Sequence, residues 1–117
     1  MTGEEATQFC QVNGGILVEV KSQTEQNILA RQIKADSRDL DEFWIGITYS
    51  SLERAWVWQS SGGKLEGGYT NWGEGNTNDI SQPCARMRRL NNLWSWYDRG
   101  CHTKYFPICE KSKSSIN

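Results

Sequence analysis

Four cysteines, at positions 10, 84, 101 and 109, constrain this 117-residue chain more than any other feature. None forms the close Cys-x-x-Cys pair that a structural zinc site uses, so the set reads as two disulfides. Disulfides persist in oxidising surroundings, so the protein is expected outside the cell. Four cysteines alone allow three pairings. No leader is visible, because Met1 runs straight into a polar segment, and a leader is expected to have been removed or left out.

The length fits one domain with a real core. No apolar run approaches the ~18 residues of a membrane span, and mean hydropathy is −0.69. A net charge of −1 argues against nucleic acid or another polyanion as obligatory partner.

Thr2-Gly3-Glu4-Glu5 is a capping box, and Ala6, Phe9 and Cys10 follow on one helical face until Asn13-Gly14-Gly15 ends the helix. Residues 16–20 read as a short strand. Ser22-Gln23-Thr24-Glu25 is a second capping box, with Ile28, Leu29 and Ile33 at helical spacing behind it and a polar linker over 35–41. Residues 43–49 and 55–58 pair as a hairpin, and a long irregular region begins at Ser60. Residues 84–90 and 93–98 form a second hairpin around Asn91-Asn92. Residues 105–110 make the last strand, where Pro107 implies an edge or a bulge. Residues 112–117 are a polar tail beyond a domain of 1–111. Helices first, then short strands around a large loop, define an α+β domain.

The chemistry is expected in residues 69–101, a polar loop pinned to a hairpin. Gly73, Gly75, Asn76, Asn78 and Asp79 favour turns over regular structure. An enzyme is not expected: bridged cysteines leave no thiol nucleophile, and His102 has no placed partner.

The ordered set of motifs resembles a C-type lectin-like domain over nearly the whole chain. Phe9-Cys10, Gly14-Gly15-Ile16-Leu17, Trp44-Ile45-Gly46-Ile47, Trp56-Val57-Trp58, Asn71-Trp72, Cys84, Trp96-Tyr97-Asp98, Cys101 and Cys109 carry it. The resemblance implies a fold with two helices flanking small antiparallel sheets and a long irregular binding loop. It also implies the pairs Cys10–Cys109 and Cys84–Cys101. In the chain-entropy account the outer bridge is worth on the order of 4–5 kcal/mol and the inner one about 3 kcal/mol.

Sugar-binding members hold calcium on the long loop with Glu-Pro-Asn or Gln-Pro-Asp, a later Glu, and Trp-Asn-Asp. Here those positions read Glu74-Gly75-Asn76, Gln82 and Trp96-Tyr97-Asp98. Glu74, Asn76 and Asp98 remain as metal donors, and Gln82 offers a neutral carbonyl. A neutral phenol at Tyr97 is a poor ligand for a hard ion that wants 6–8 oxygens. The proline is gone, and Gly75 loosens the loop. A degenerate calcium site follows, with no cofactor expected beyond a weak calcium.

Two functions compete. One is a carbohydrate-binding lectin of innate immunity with weak or no calcium dependence, using Glu74, Asn76, Gln82 and Asp98, with Tyr97 or Trp94 stacking on a pyranose. The other is a lectin-like module that has lost sugar and binds protein. Trp44, Trp56, Trp58 and Trp96 read as core. Arg86, Arg88 and Arg89 alternate faces and read as a solvated strand face. Partners are glycans or glycoproteins. The family's N-terminal strand is missing ahead of Thr2, so residues 105–110 are expected to expose an edge bearing Tyr105, Phe106 and Ile108. A homodimer or another partner chain would cover it.

Overall fold

The computed structural model describes residues 1–36, 40–76 and 79–111, so the polar tail, Asn78 and part of the 35–41 linker lie outside the described residues. Helix α1, Gly3–Val12, starts as its sequence dictates. Glu5 N–H donates to Thr2 Oγ1 at 3.2 Å, and Thr2 N–H donates to Glu5 Oε1 at 2.9 Å. Ala6 and Cys10 are buried, but Phe9, placed by its spacing on the same face, is 44% exposed. Strand β1 covers Gly15–Leu17 only; residues 18–20 continue inward as buried, unladdered chain.

Helix α2, Gln23–Asp36, makes half of its expected capping box. Ser22 Oγ accepts from Glu25 N–H at 3.1 Å, while the Glu25 carboxylate accepts from Lys21 N–H, one residue early. Its inward face carries Gln26, Leu29 and Ile33, and Ile28 is turned out. Gln26 thus replaces an expected apolar contact and donates to Met87 Sδ at 3.8 Å.

The main sheet has the order β3-β2-β4-β5, from β2 Glu42–Ser50, β3 Ala55–Trp58, β4 Cys84–Leu90 and β5 Leu93–Arg99. Asn91 and Asn92 turn the last hairpin at φ 53° and 64°, the left-handed pair that a tight two-residue turn requires. One edge of β2 is shared: its C-terminal half pairs with β3, and Phe43 and Trp44 run parallel to β6, Phe106–Pro107. Gly46 lies between these partners, where a Cβ would come 2.7 Å from Leu17 O. Only glycine lets β1 cross so closely.

The last strand is therefore two. Pro107 has no N–H to give, and the chain leaves the main sheet there. Strand β7, Cys109–Lys111, then pairs antiparallel with β1. The unpaired apolar edge expected over 105–110 is not found. Tyr105 exchanges hydrogen bonds with Met1, at 2.9 and 3.1 Å, and Ile108 packs on the core. Of the three apolar side chains expected at that edge, Phe106 alone is exposed. Among the described residues β7 has β1 as its strand partner, and its residues are not apolar apart from bridged Cys109.

Both sheet faces are covered. Val20, Ile33, Phe43, Ile45, Ile47, Trp58, Met87 and Trp96 fill one side, and Ala6, Cys10, Leu17 and Trp44 the other. The disulfides are Cys10–Cys109 and Cys84–Cys101.

Candidate functional site in the long loop

Residues 59–76 and 79–83 lie outside the named strands and helices but stay attached to the sheet. Leu65 is buried and its N–H donates to Trp56 O at 3.0 Å. Tyr69 and Trp72 each meet Trp96 edge to face at 5.8 Å between centroids. Around Trp72 the chain joins the outer edge of β5: Trp96 N–H donates to Asn71 O and Gly73 N–H to Trp96 O, both at 2.8 Å. The Tyr97 ring then lies against Gly73 so closely that a Cβ there would collide with it.

Beyond Gly73 the fastening changes to polar groups. Glu74 is exposed at a turn whose next residue, Gly75, has φ +86°. Proline, fixed near φ −65°, cannot adopt that turn, so Gly75 gives the loop a different path rather than mere looseness. Asn76 Oδ1 accepts from Asp98 N–H at 2.9 Å, and Asp98 Oδ2 accepts from Asp79 N–H at 2.7 Å. Asp98 is 6% exposed. Asp79 Oδ1 in turn accepts from the Ser81 hydroxyl at 2.7 Å and its N–H at 2.9 Å. The hydroxyl first, then the amide, holds the Asp79 carboxyl below the usual carboxylate range. Gln82 is half-buried at the end of this turn, its N–H donating to Asp79 O.

Behind Asp98 stands an ion pair. Arg86 donates to the Asp98 carbonyl at 3.0 Å and to Glu42 Oε1 at 2.7 Å. Its guanidinium lies over the rings of Tyr97 and Tyr105 at 5.5 and 5.9 Å. The expected solvated strand face is thus not seen at Arg86, which is 7% exposed because α1 and Tyr105 cover that side. Arg89 pairs with Asp41 at 2.6 Å on the opposite face.

The expected site residues do not all converge. Glu74, Asn76, Gln82 and Asp98 gather at one end of the loop. Tyr97 alternates to the other face of β5 and lies between Gly73 and the guanidinium groups of Arg86 and Arg88. Trp94 is four residues from Asp98 along the strand, roughly 13 Å. It faces Phe43 and carries Arg89 over its ring at 5.8 Å, beside Ala30 and Arg31 of α2. It therefore serves a separate groove. Asp79, read from sequence only as a turn former, belongs to the site; the Asp-x-Ser pattern of an Asx turn was its signal.

These donors do not fit calcium. Asn76 Oδ1 and Asp98 Oδ2 already accept backbone N–H groups, and the amide position of the family motif is a phenol turned toward arginine. Among the described residues no three His, Cys, Asp or Glu side chains stand close enough to hold a metal ion. Such an ion wants 6–8 oxygens.

Two helices, a double-sheet core, nested disulfides and a long loop laid on β5 define a C-type lectin-like domain. The chain belongs to the C-type lectin family, whose Lectin C-type domain model matches residues 1–111. It is 32% identical over 111 residues to human (Homo sapiens) lithostathine-1-beta, covering 93% of this chain and 65% of that protein. The chain thus spans just under two thirds of the length of that relative. Among solved structures, the SPL-1–GlcNAc complex matches with a TM-score of 0.81 at 23% identity, over 97% of this chain and 82% of its own. A calcium-independent type II antifreeze protein matches at 0.75 and 26%, over 96% and 79%.

Proposed function

We propose that this domain is an extracellular lectin that recognises glycans at the end of the long loop, with little or no contribution from calcium. The observation that carries the reading is the Asn76–Asp98–Asp79 network. Hydrogen bonds within the chain hold the loop where the family uses a metal, and they leave the exposed Glu74 carboxylate and the half-buried Gln82 amide to meet sugar hydroxyls. Charge-assisted bonds of this kind are the stronger ones available to such a surface. The similarity to a calcium-independent relative supports a fold that stands without the ion, and the fold match to SPL-1 makes N-acetylglucosamine glycans the first probes. Two disulfides suit a secreted, non-catalytic role, for which innate recognition of foreign glycans is the setting. The edge over residues 105–110 at which a homodimer or partner chain is expected is met in part within the chain, by Met1 at Tyr105, β2 at Phe106 and Pro107, and β1 at Cys109–Lys111.

A glycan array run in millimolar calcium and again in chelator tests this reading. Equal binding in both is expected, together with an unchanged melting temperature, since ligand stabilisation follows concentration over Kd. Loss of all binding in chelator overturns the calcium-independent reading.

A further inference from the structure

The aromatic half of the loop does more than anchor it. Trp56 and Trp72 meet edge to face, 5.3 Å between centroids, and both remain half-buried after packing. With the backbone of Gly68 they wall an open cavity of about 410 Å³ whose rim carries Arg54, Glu66 and Thr70, all exposed. Both rings pack on the buried cluster of Trp58, Leu65 and Trp96 beneath, yet each keeps part of its surface exposed.

We propose that this groove is a second sugar subsite, which takes a neutral hexopyranose with an unbroken C–H face. The inference rests on the reading that the domain binds glycans, but it uses none of the loop's polar residues. Ligand sites of ~300–1,000 Å³ pair apolar and aromatic walls with a few polar groups that fix orientation. Indole faces supply the wall, on which a pyranose C–H face stacks. The hydroxyl of Thr70, the carboxylate of Glu66 and the guanidinium of Arg54 supply donors and acceptors for ring hydroxyls. One acid and one base leave the rim without net charge, which favours neutral over anionic sugars. The groove also adjoins the proposed loop site: Trp72 precedes Glu74 by two residues, so their α-carbons lie within roughly 7 Å. A glycan of two units would occupy both places at once, and each contact would raise the effective concentration of the other.

Gly68 provides a clean test. A Cβ there would meet only Leu65 O, at an ordinary 3.6 Å, and its backbone is outside the left-handed region, so Gly68→Phe fills the groove without backbone strain. The probes are N-acetylglucosamine, its β-linked disaccharide and glucuronic acid, each titrated in chelator against the indole N–H resonances. In the unmodified protein Trp56 and Trp72 should shift with the neutral sugars, and the disaccharide should bind at least tenfold more tightly than the monosaccharide. Glu74→Ala should keep the indole shifts, whereas Gly68→Phe should remove them and the disaccharide advantage. Should Gly68→Phe fail to fold, the surface pair Glu66→Gln and Thr70→Ala should weaken the same shifts several-fold. Loop resonances that move while both indoles stay fixed would overturn the subsite and leave the lectin reading standing. A preference for glucuronic acid would overturn the neutral class. Absence of binding across a broad array would remove the lectin reading itself.

Discussion

The two halves of the irregular region make an instructive contrast. Residues 59–72 are fastened by aromatic packing, with Leu65, Tyr69 and Trp72 seated on Trp58 and Trp96. In residues 73–76 and 79–83 the fastening is polar, with hydrogen bonds that gather on Asp98 and on Asp79. Packing of the first kind is dense and punishes any loss of volume. Hydrogen bonds of the second kind contribute about 0.5–1.5 kcal/mol each, so the polar half is held in place but cheaply altered. The proposed site at Glu74 and Gln82 lies on the half that tolerates change, next to the half that does not.

The largest expected break in this contrast is Trp96→Ala. It removes the fully buried ring on which Tyr69 and Trp72 rest, and should destabilise by about 3–5 kcal/mol in denaturant unfolding. Asp98→Ala should cost about 1–3 kcal/mol by leaving the Asp79 N–H without its acceptor, and amide exchange should quicken at Asp79 far more than at Leu65. A global rise in exchange would mean that the two halves are not separable. Glu74→Ala should change stability by less than about 0.5 kcal/mol while weakening glycan binding, measured on the same array. Unchanged binding would move the site off this turn.

The smallest effect sharpens the polar half alone. The folded-state pKa of Asp79 is depressed, so its contribution to stability is fully present above the ordinary carboxylate pKa and is lost as pH falls through the lowered value. Ser81→Ala should bring the Asp79 carboxyl resonance back toward an ordinary titration. A titration that does not move would assign the depression to another group.

Much of this frame was legible in local chemistry. Thr2 and Glu5 cap as their spacing dictates, Asn91-Asn92 turns the hairpin, and Trp44, Trp58 and Trp96 are core. What escaped depended on neighbours that are remote in sequence. Strand alternation places Arg86 and Arg88 on one face, but only the docking of α1 and Tyr105 makes that face an interior for Arg86. Helical spacing put Phe9 and Ile28 inside, yet the helices are rotated so that both are exposed and Gln26 is buried. The motif positions around Glu74 were readable, whereas the positive φ of Gly75 and the commitment of Asn76 and Asp98 to backbone N–H groups were not. Trp94 could be assigned to the loop only while the direction of its ring was unknown.

The split C-terminal segment bears on how the molecule is made. The first strand of the main sheet waits for Phe106 and Pro107 to complete its edge, and β1 waits for Cys109–Lys111. The small β1–β7 sheet, and the β6 edge of the main sheet, cannot form before residues 106–111 are available. Pairings of such long sequence separation form slowly, in the millisecond-to-second regime rather than microseconds. The first strand thus keeps one edge open until the last residues of the domain reach it.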